Sequence, residues 1–153
     1  PGLSEEAPQE MTRIDFYILD EASRQDRYLL SCRIIEKAWK NHHRVMVQTG
    51  SEEEARHLDK LLWTFRDQSF VPHGLLPIAD AQTTPVIIGW NTDAGEERDI
   101  LVNLSDEIPA YFSRFERVIE PVDNDEQRRA ISREHYRFYR DRGYPLNNTT
   151  IKG

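Results

Sequence analysis

The sequence predicts a single three-layer α/β domain with a mainly parallel sheet flanked by helices. Short segments rich in β-branched and apolar residues alternate with longer segments in which apolar residues recur at helical spacing. A length of 153 residues is enough for one hydrophobic core and small for two. Residues 1–10 are polar and without periodicity, which predicts a disordered leader or expression remnant ahead of a domain at 11–153 that starts at Met11.

The first half of the chain predicts two strand–helix pairs. They are a strand at 13–19, a helix at 24–41, a strand at 44–49 and a helix at 52–64. In the first helix the inward positions are Leu29, Cys32, Ile35, Ala38 and Trp39. The second helix has an acidic first turn, which suits the helix dipole, and its inward positions are Ala55, Leu58, Leu61 and Leu62.

The second half begins with a loop punctuated by proline and glycine at 71–84. The elements predicted after it are a strand at 85–90, a polar turn at 91–97, a strand at 98–104, a short helix at 108–113 and a strand at 115–119. A last helix closes the fold. Asp123 is its predicted N-cap, and Glu126 stands three residues later, in capping-box spacing.

Composition narrows the possible functions. The formal net charge of −7 argues against a general nucleic-acid binder, because affinity for nucleic acid comes largely from neutralised phosphates. No apolar segment approaches the roughly 20 residues that span a bilayer. The single cysteine, Cys32, stands among aliphatic residues and is predicted to be a buried core residue in a protein of the reducing cytoplasm.

The usual phosphate-binding motifs are missing from the sequence. The loop after the first strand, at 20–24, has no glycine, and Gly50 is followed closely by three glutamates, which would repel phosphate. Asp15, Asp20 and Asp99 lie on or beside strands and in principle could hold Mg²⁺, so a metal- or nucleotide-dependent hydrolase stays an alternative. No pair of histidines has convincing metal-ligand spacing.

The last predicted helix is basic although the chain is acidic. Residues 128–142 contain six arginines and two acids. At about 100° per residue, one face collects three arginines and a tyrosine, namely Arg129, Arg133, Tyr136 and Arg140. Ile131 and Phe138 fall on the opposite side, which we expect to face the core.

This basic face has three possible meanings. It is either a solvated surface, a direct DNA-binding surface, or a site for a short acidic peptide with a hydrophobic end. Acidic partners at i,i+4 are mostly missing, and Tyr136 offers an apolar wall beside the guanidinium groups, which favours the peptide.

A second candidate surface follows from three large aromatic residues within eight positions, Trp63, Phe65 and Phe70. They either belong to the core, or Trp63 and Phe70 form an exposed apolar patch for another protein. The residues alone leave both interpretations open.

Five segments of this sequence resemble the chi-subunit family of bacterial DNA polymerase III, accessory proteins of the clamp-loader complex. They are 12–19, 58–63, 69–73, 98–102 and 133–146. The most specific are Leu-Trp followed by Ser-Phe-Val-Pro-His, and the pattern Arg-x-x-Tyr-x-x-Tyr-Arg-x-x-Gly that ends at Gly143. The resemblance extends from Met11 to about residue 146.

The resemblance implies a nucleotide-binding-like topology without a phosphate loop, and a protein that is not an enzyme and has no cofactor. It implies two partners, the psi subunit and the acidic C-terminal tail of single-stranded-DNA-binding protein, so that DNA is met only indirectly and no membrane is involved. The implied tail site comprises Val122, Arg129, Arg133, Tyr136 and Arg137. The implied psi face includes Trp63 and Phe70, and in some relatives the same face engages a DNA-repair helicase. Lysine is common in the family at Arg129 and Arg137, where arginine keeps the charge and changes the hydrogen-bond geometry.

Overall fold

The computed structural model describes residues 11–76, 78–90 and 99–152. The predicted leader at 1–10 and the polar turn predicted at 91–97 lie outside the described residues, as does residue 98. The strands of the described part are β1 (Arg13–Leu19), β2 (Val45–Thr49), β3 (His73–Leu75), β4 (Val86–Trp90), β5 (Ile100–Asn103), β6 (Arg117–Val122) and β7 (Leu146–Ile151). Its helices are α1 (Arg27–Lys40), α2 (Glu52–Thr64) and α3 (Glu126–Asp141), with a 3-10 turn at Phe112–Arg114.

The strands form one sheet in the order β3-β4-β2-β5-β6-β1-β7, and every neighbouring pair is parallel. The predicted α/β class with a mainly parallel sheet is therefore confirmed. Because β1 lies between β6 and β7, the β6–α3–β7 connection passes over β1.

Side chains of the strands alternate between two helical layers. Val45 and Val47 point to the face covered by α1 and α2, where Leu58 and other helix residues complete the core. Met46, between them, points to the opposite face, where it packs in a cluster with Tyr139 of α3. Both faces of the sheet are thus covered, which explains the uninterrupted apolar runs at 45–47 in β2 and 100–102 in β5.

Two strands were not predicted. β3 lies inside the segment predicted as a loop, and β7 follows the last predicted helix. Both are edge strands that pair with one neighbour only. The side chains of residues 147–150 in β7 are exposed, so the strand carries no alternating apolar pattern to reveal it.

Several predicted boundaries shift for identifiable reasons. α1 begins at Arg27 because the carboxylate of Asp26 accepts hydrogen bonds from the backbone N–H groups of Tyr28 (3.1 Å) and Leu29 (2.9 Å). β6 continues to Val122, where it still pairs with Ile18 of β1, and does not end at 119 as predicted. The helix predicted at 108–113 is wrong, and the segment forms only the 3-10 turn.

Cys32 is fully buried, as predicted. Burial, together with the nearby negative charges of Asp26 and Glu36, raises the pKa of its thiol to about 12. The thiolate is therefore strongly disfavoured, and the side chain acts as a small apolar group.

Candidate functional site

α3 begins two residues later than its predicted start after Asp123. The carboxylate of Asp125 accepts a hydrogen bond from the backbone N–H of Arg128 (3.0 Å), which makes Asp125 the N-cap. The prediction of Asp123 as N-cap, with Glu126 completing a capping box, is wrong. Asp123 is buried and accepts a hydrogen bond from the backbone N–H of Arg27 (3.0 Å), so it joins the end of β6 to the start of α1.

The inner face of α3 also differs from the prediction. Its buried residues are His135 and Tyr139, whereas Ile131 and Phe138 are only half-buried. Phe138 packs against the core cluster that contains Tyr139, as predicted, but the most buried face of the helix is rotated from the predicted one toward His135 and Tyr139. Both side chains meet Glu120 of β6, whose carboxylate is also buried.

The buried Glu120 carboxylate is fully engaged. It accepts hydrogen bonds from the Tyr139 hydroxyl (2.9 Å) and the Asn103 side-chain amide (3.0 Å), and its Oε1 lies 3.0 Å from Nδ1 of His135. Nε2 of His135 lies 2.8 Å from the backbone oxygen of Asp106. Burial lowers the pKa of His135, but the hydrogen bond and the charge of Glu120 outweigh it, so the pKa is raised. This network ties α3 to the sheet.

Two residues of the predicted tail site sit where this core meets the surface. Tyr136 is half-buried, with its ring centroid 5.4 Å from that of Phe16 in β1. Val122 is buried in the same cluster, on the face of β6 that α3 covers. Tyr136 is therefore not a fully outward residue among the arginines, and its ring is held in place by the core.

Arg129, which the sequence assigns to the same site, is largely committed to the fold. Its guanidinium donates to the backbone oxygens of Leu19 (3.1 Å) and Asp123 (3.1 Å) and to the side chain of Asn124. These contacts satisfy two carbonyl groups at the ends of β1 and β6. Arg129 therefore anchors α3 at the carboxyl edge of the sheet.

Arg133 and Arg137 are in a different state. Both are exposed, and within the described ranges neither takes part in a hydrogen bond or ion pair. They are one helical turn apart and flank Tyr136. Arg140, on the same face, is paired with Asp141 (3.1 Å). Of the cations assigned to the predicted tail site, Arg133 and Arg137 are therefore the two available beside the fixed ring of Tyr136.

The second predicted surface is exposed. Trp63 is 54% and Phe70 72% accessible, whereas Phe65 packs against the core. The Trp63 ring lies 4.4 Å, centroid to centroid, from the ring of His73 in β3. His73 ends the Ser-Phe-Val-Pro-His motif, but its contact with Trp63 was not predicted. Its imidazole is held at both nitrogens, with Nδ1 2.7 Å from the backbone oxygen of Val71 and Nε2 3.0 Å from that of Asp59.

Phe70 is also held by its neighbours. Ser69 is buried and donates to the carboxylate of Glu36 in α1 (2.6 Å). Val71 on the other side is buried in the core. The backbone on each side of Phe70 is thereby anchored, and its side chain projects as an exposed apolar group.

The carboxyl edge of the sheet does not form a phosphate site at α2. Glu54 folds back on the start of its own helix, where its Oε1 accepts from the backbone N–H of Gly50 (2.6 Å). Its other oxygen is paired with the buried guanidinium of Arg27 (2.7 Å). The groove at this edge is further lined by Glu53, Asp106 and Glu107. Carboxylates occupy the place that a nucleotide phosphate would need.

The three aspartates considered for Mg²⁺ do not converge. Asp20 follows β1 at the carboxyl edge of the sheet, whereas Asp99 precedes β5 at the opposite edge. Asp15 is paired with Arg117. In the described part of the chain no group of three or more His, Cys, Asp or Glu side chains is placed to hold a metal ion, and no helix there is long and apolar enough to cross a bilayer.

The sequence matches a protein family and three relatives over most of its length. Residues 11–147 match the model of the family described as DNA polymerase III chi subunit, HolC. The DNA polymerase III subunit chi of Pseudomonas aeruginosa is 39% identical over 138 residues, which covers 90% of this chain and 96% of that protein. The subunit chi of Escherichia coli is 31% identical over 147 residues, covering 93% and 100%, and that of Haemophilus influenzae is 31% identical over 137 residues, covering 89% and 95%. From its match over nearly its whole length, this chain belongs to the DNA polymerase III chi subunit family.

Proposed function

We propose that this chain is a non-catalytic accessory subunit of the clamp-loader complex that bridges two proteins in the cytoplasm during DNA replication. One is the psi subunit, and the other is the acidic C-terminal tail of single-stranded-DNA-binding protein. Membership of the chi family and the presence of two separate surfaces, on α3 and after α2, support this proposal.

The observation that carries the tail site is the availability of Arg133 and Arg137 beside Tyr136. In our proposal these two arginines pair with the carboxylate of the tail's last residue, and Tyr136 packs against its aromatic ring. Val122 supports that contact from within the core. Arg129 contributes positive charge and fixes the helix, and the other arginines of α3 attract upstream aspartates.

The tail site is tested by fluorescence anisotropy with a labelled acidic peptide that ends in Pro-Phe. We expect Arg133→Ala to weaken binding by about 1–3 kcal/mol, roughly fivefold to 150-fold, because it removes a charged hydrogen bond. Arg56→Ala is the matched control, since Arg56 is an exposed helical arginine on α2 that is already paired with Glu52 (2.8 Å). Unchanged affinity in Arg133→Ala would contradict the assignment.

The psi face is proposed to include Trp63 and Phe70, which a DNA-repair helicase would also use. Buried aromatic residues dominate many interfaces, so we expect Trp63→Ala with Phe70→Ala to abolish co-purification with psi. Met11→Ala, which alters another exposed large apolar residue, is expected to retain it. Retention of psi by the double variant would reject this face.

Two other functions are open to direct test. A hydrolase would be stabilised against heat by a nucleotide with Mg²⁺. We expect no shift in the melting temperature of this protein, because carboxylates fill the start of α2. Direct DNA binding would give anisotropy changes with a plain oligonucleotide, and we expect DNA to be met only through the tail-bearing protein.

A further inference from the structure

A second concave surface lies beside α1, on the face of the sheet opposite α3. It encloses about 710 Å³ between α1 and the outer strands β1 and β7. α1 packs on β2 and β6, so the outer strands are only partly covered on this side. Tyr17 and Ile151 are half-buried there, and Thr149, paired with Tyr17 in the sheet, is exposed. We call this surface the α1 groove.

The rim of the α1 groove is cationic in a protein of net charge −7. Five positively charged side chains line it, namely Arg33, Lys37, Lys40, Arg66 and Arg117. Among the described residues that line it, Glu36 is the only carboxylate, and it already pairs with Lys40 (3.6 Å) and Arg66 (3.2 Å). The groove therefore has excess positive charge.

Two of these cations are available to a ligand. Arg33 donates to the neutral side-chain oxygen of Gln25 (3.0 Å), and in the part of the chain that the structure covers no ion pair involves Arg33 or Lys37. They are four residues apart on one helix face, about 6 Å along the axis. An anionic partner could engage both at once.

The floor of the groove indicates the class of partner. It is aliphatic, with contributions from Ile34, Ala38, Ile119 and Ile151. Tyr17 contributes an aromatic ring, but the guanidinium of Arg117 lies over that ring at 5.7 Å. Single-stranded nucleic acid needs open aromatic faces for stacking. A protein segment with aliphatic side chains on one side and carboxylates on the other fits this surface better than nucleic acid does.

We propose that the α1 groove binds an acidic, amphipathic helical segment of a protein partner. The segment lies beside α1, with its apolar side toward Ile151 and its carboxylates toward Arg33 and Lys37. From Leu30 to Asn41 the groove follows α1 for about 16 Å, so about three helical turns are engaged. This site is separate from the proposed tail site, which is on the other face of the sheet.

The test uses a labelled amphipathic peptide of about four helical turns, with leucine on one side and glutamate on the other. Anisotropy is measured with protein carrying Arg133→Ala and Arg137→Ala, so that the proposed tail site does not contribute. The added variant is Arg33→Glu with Lys37→Glu. Its matched control is Arg24→Glu, an exposed arginine outside the groove.

We expect the peptide to bind, and the charge-reversed variant to bind at least about tenfold more weakly while Arg24→Glu binds unchanged. Amide shifts on titration should cluster in residues 33–41 and 147–151. Urea unfolding of each variant checks that the loss is not loss of fold. No binding, equal binding by the charge-reversed variant, or tighter capture of an oligothymidine by the same residues would each overturn the proposal.

Discussion

At the scale of single residues, local partners decide which charges a ligand can use. The arginines of α3 are equivalent in composition, but Arg129 is bound to backbone oxygens and Arg128 is paired with Asp106. The guanidinium of Arg142 lies 3.6 Å from the centroid of the Phe138 ring. Only the distances in the structure distinguish these three engaged arginines from Arg133 and Arg137. The sequence could identify the basic face, but not its available members.

The Glu120–His135 pair gives a prediction at this scale. Both side chains are buried, so we expect Glu120→Gln to cost about 3 kcal/mol of unfolding free energy near pH 6. The raised pKa of His135 means that the folded protein holds this proton more tightly than the unfolded chain does. This stabilisation is complete below the ordinary value of 6.5 and is lost as the pH rises through the folded-state pKa.

Urea denaturation at several pH values between about 5.5 and 9 measures this effect. The difference in unfolding free energy between the wild type and Glu120→Gln should become smaller as the pH rises. Tyr139→Phe is the control, because it removes one neutral donor to the same carboxylate and should cost about 1 kcal/mol with little dependence on pH in this range. A difference that stays constant would show that His135 is not charged in the folded protein.

At the scale of elements, the sequence predicted those whose buried residues are mainly apolar. The strands at β1, β2, β4 and β5 and the helices α1 and α2 lie close to their predicted positions. β7 was missed because its exposed residues are asparagine and threonine, and its stability comes from backbone pairing with β1. The inner face of α3 was misassigned because a buried polar network replaces the apolar stripe there.

The N-cap of α3 gives a prediction at this scale. Asp125→Ala should lower the unfolding free energy by about 1 kcal/mol, because it removes the side-chain acceptor for the N–H of Arg128. Asp125→Asn keeps an acceptor and should change stability by only a few tenths of a kcal/mol. Thermal and urea unfolding of the two variants test this. Equal losses would indicate that the charge at the helix start matters more than the cap.

At the scale of the whole molecule, the proposed tail site and the proposed psi face differ in charge. The tail site presents arginines on a protein of net charge −7, and the Trp63–Phe70 surface is apolar. Raising the salt concentration from about 0.05 to 0.5 M should weaken tail-peptide binding, because screening shortens the reach of exposed charges. Binding of psi should change little over the same range. Titration calorimetry at both concentrations measures the two responses, and equal salt dependence would contradict this division.

Candidate residues for both surfaces could be named from the sequence, because they are local in it. The residues that hold these surfaces in place could not be predicted, because they lie in elements that are distant in sequence. The ring of Phe16 in β1 packs against Tyr136, and the ring of His73 in β3 packs against Trp63. The carboxylate of Glu120 in β6 holds α3 through His135. Such pairings follow from the strand order.

The β6–α3–β7 connection over β1 has a kinetic consequence. α3 is fixed at both ends to strands that flank β1, and Arg129 fastens it to the oxygen of Leu19. A surface set in advance requires no rearrangement when a flexible peptide arrives, so encounter can be fast, on the order of 10⁷ M⁻¹ s⁻¹. If the proposed tail peptide binds with micromolar affinity, its expected residence time is on the order of 0.1 s. Rigidity in this helix would allow repeated release and recapture of the proposed tail peptide.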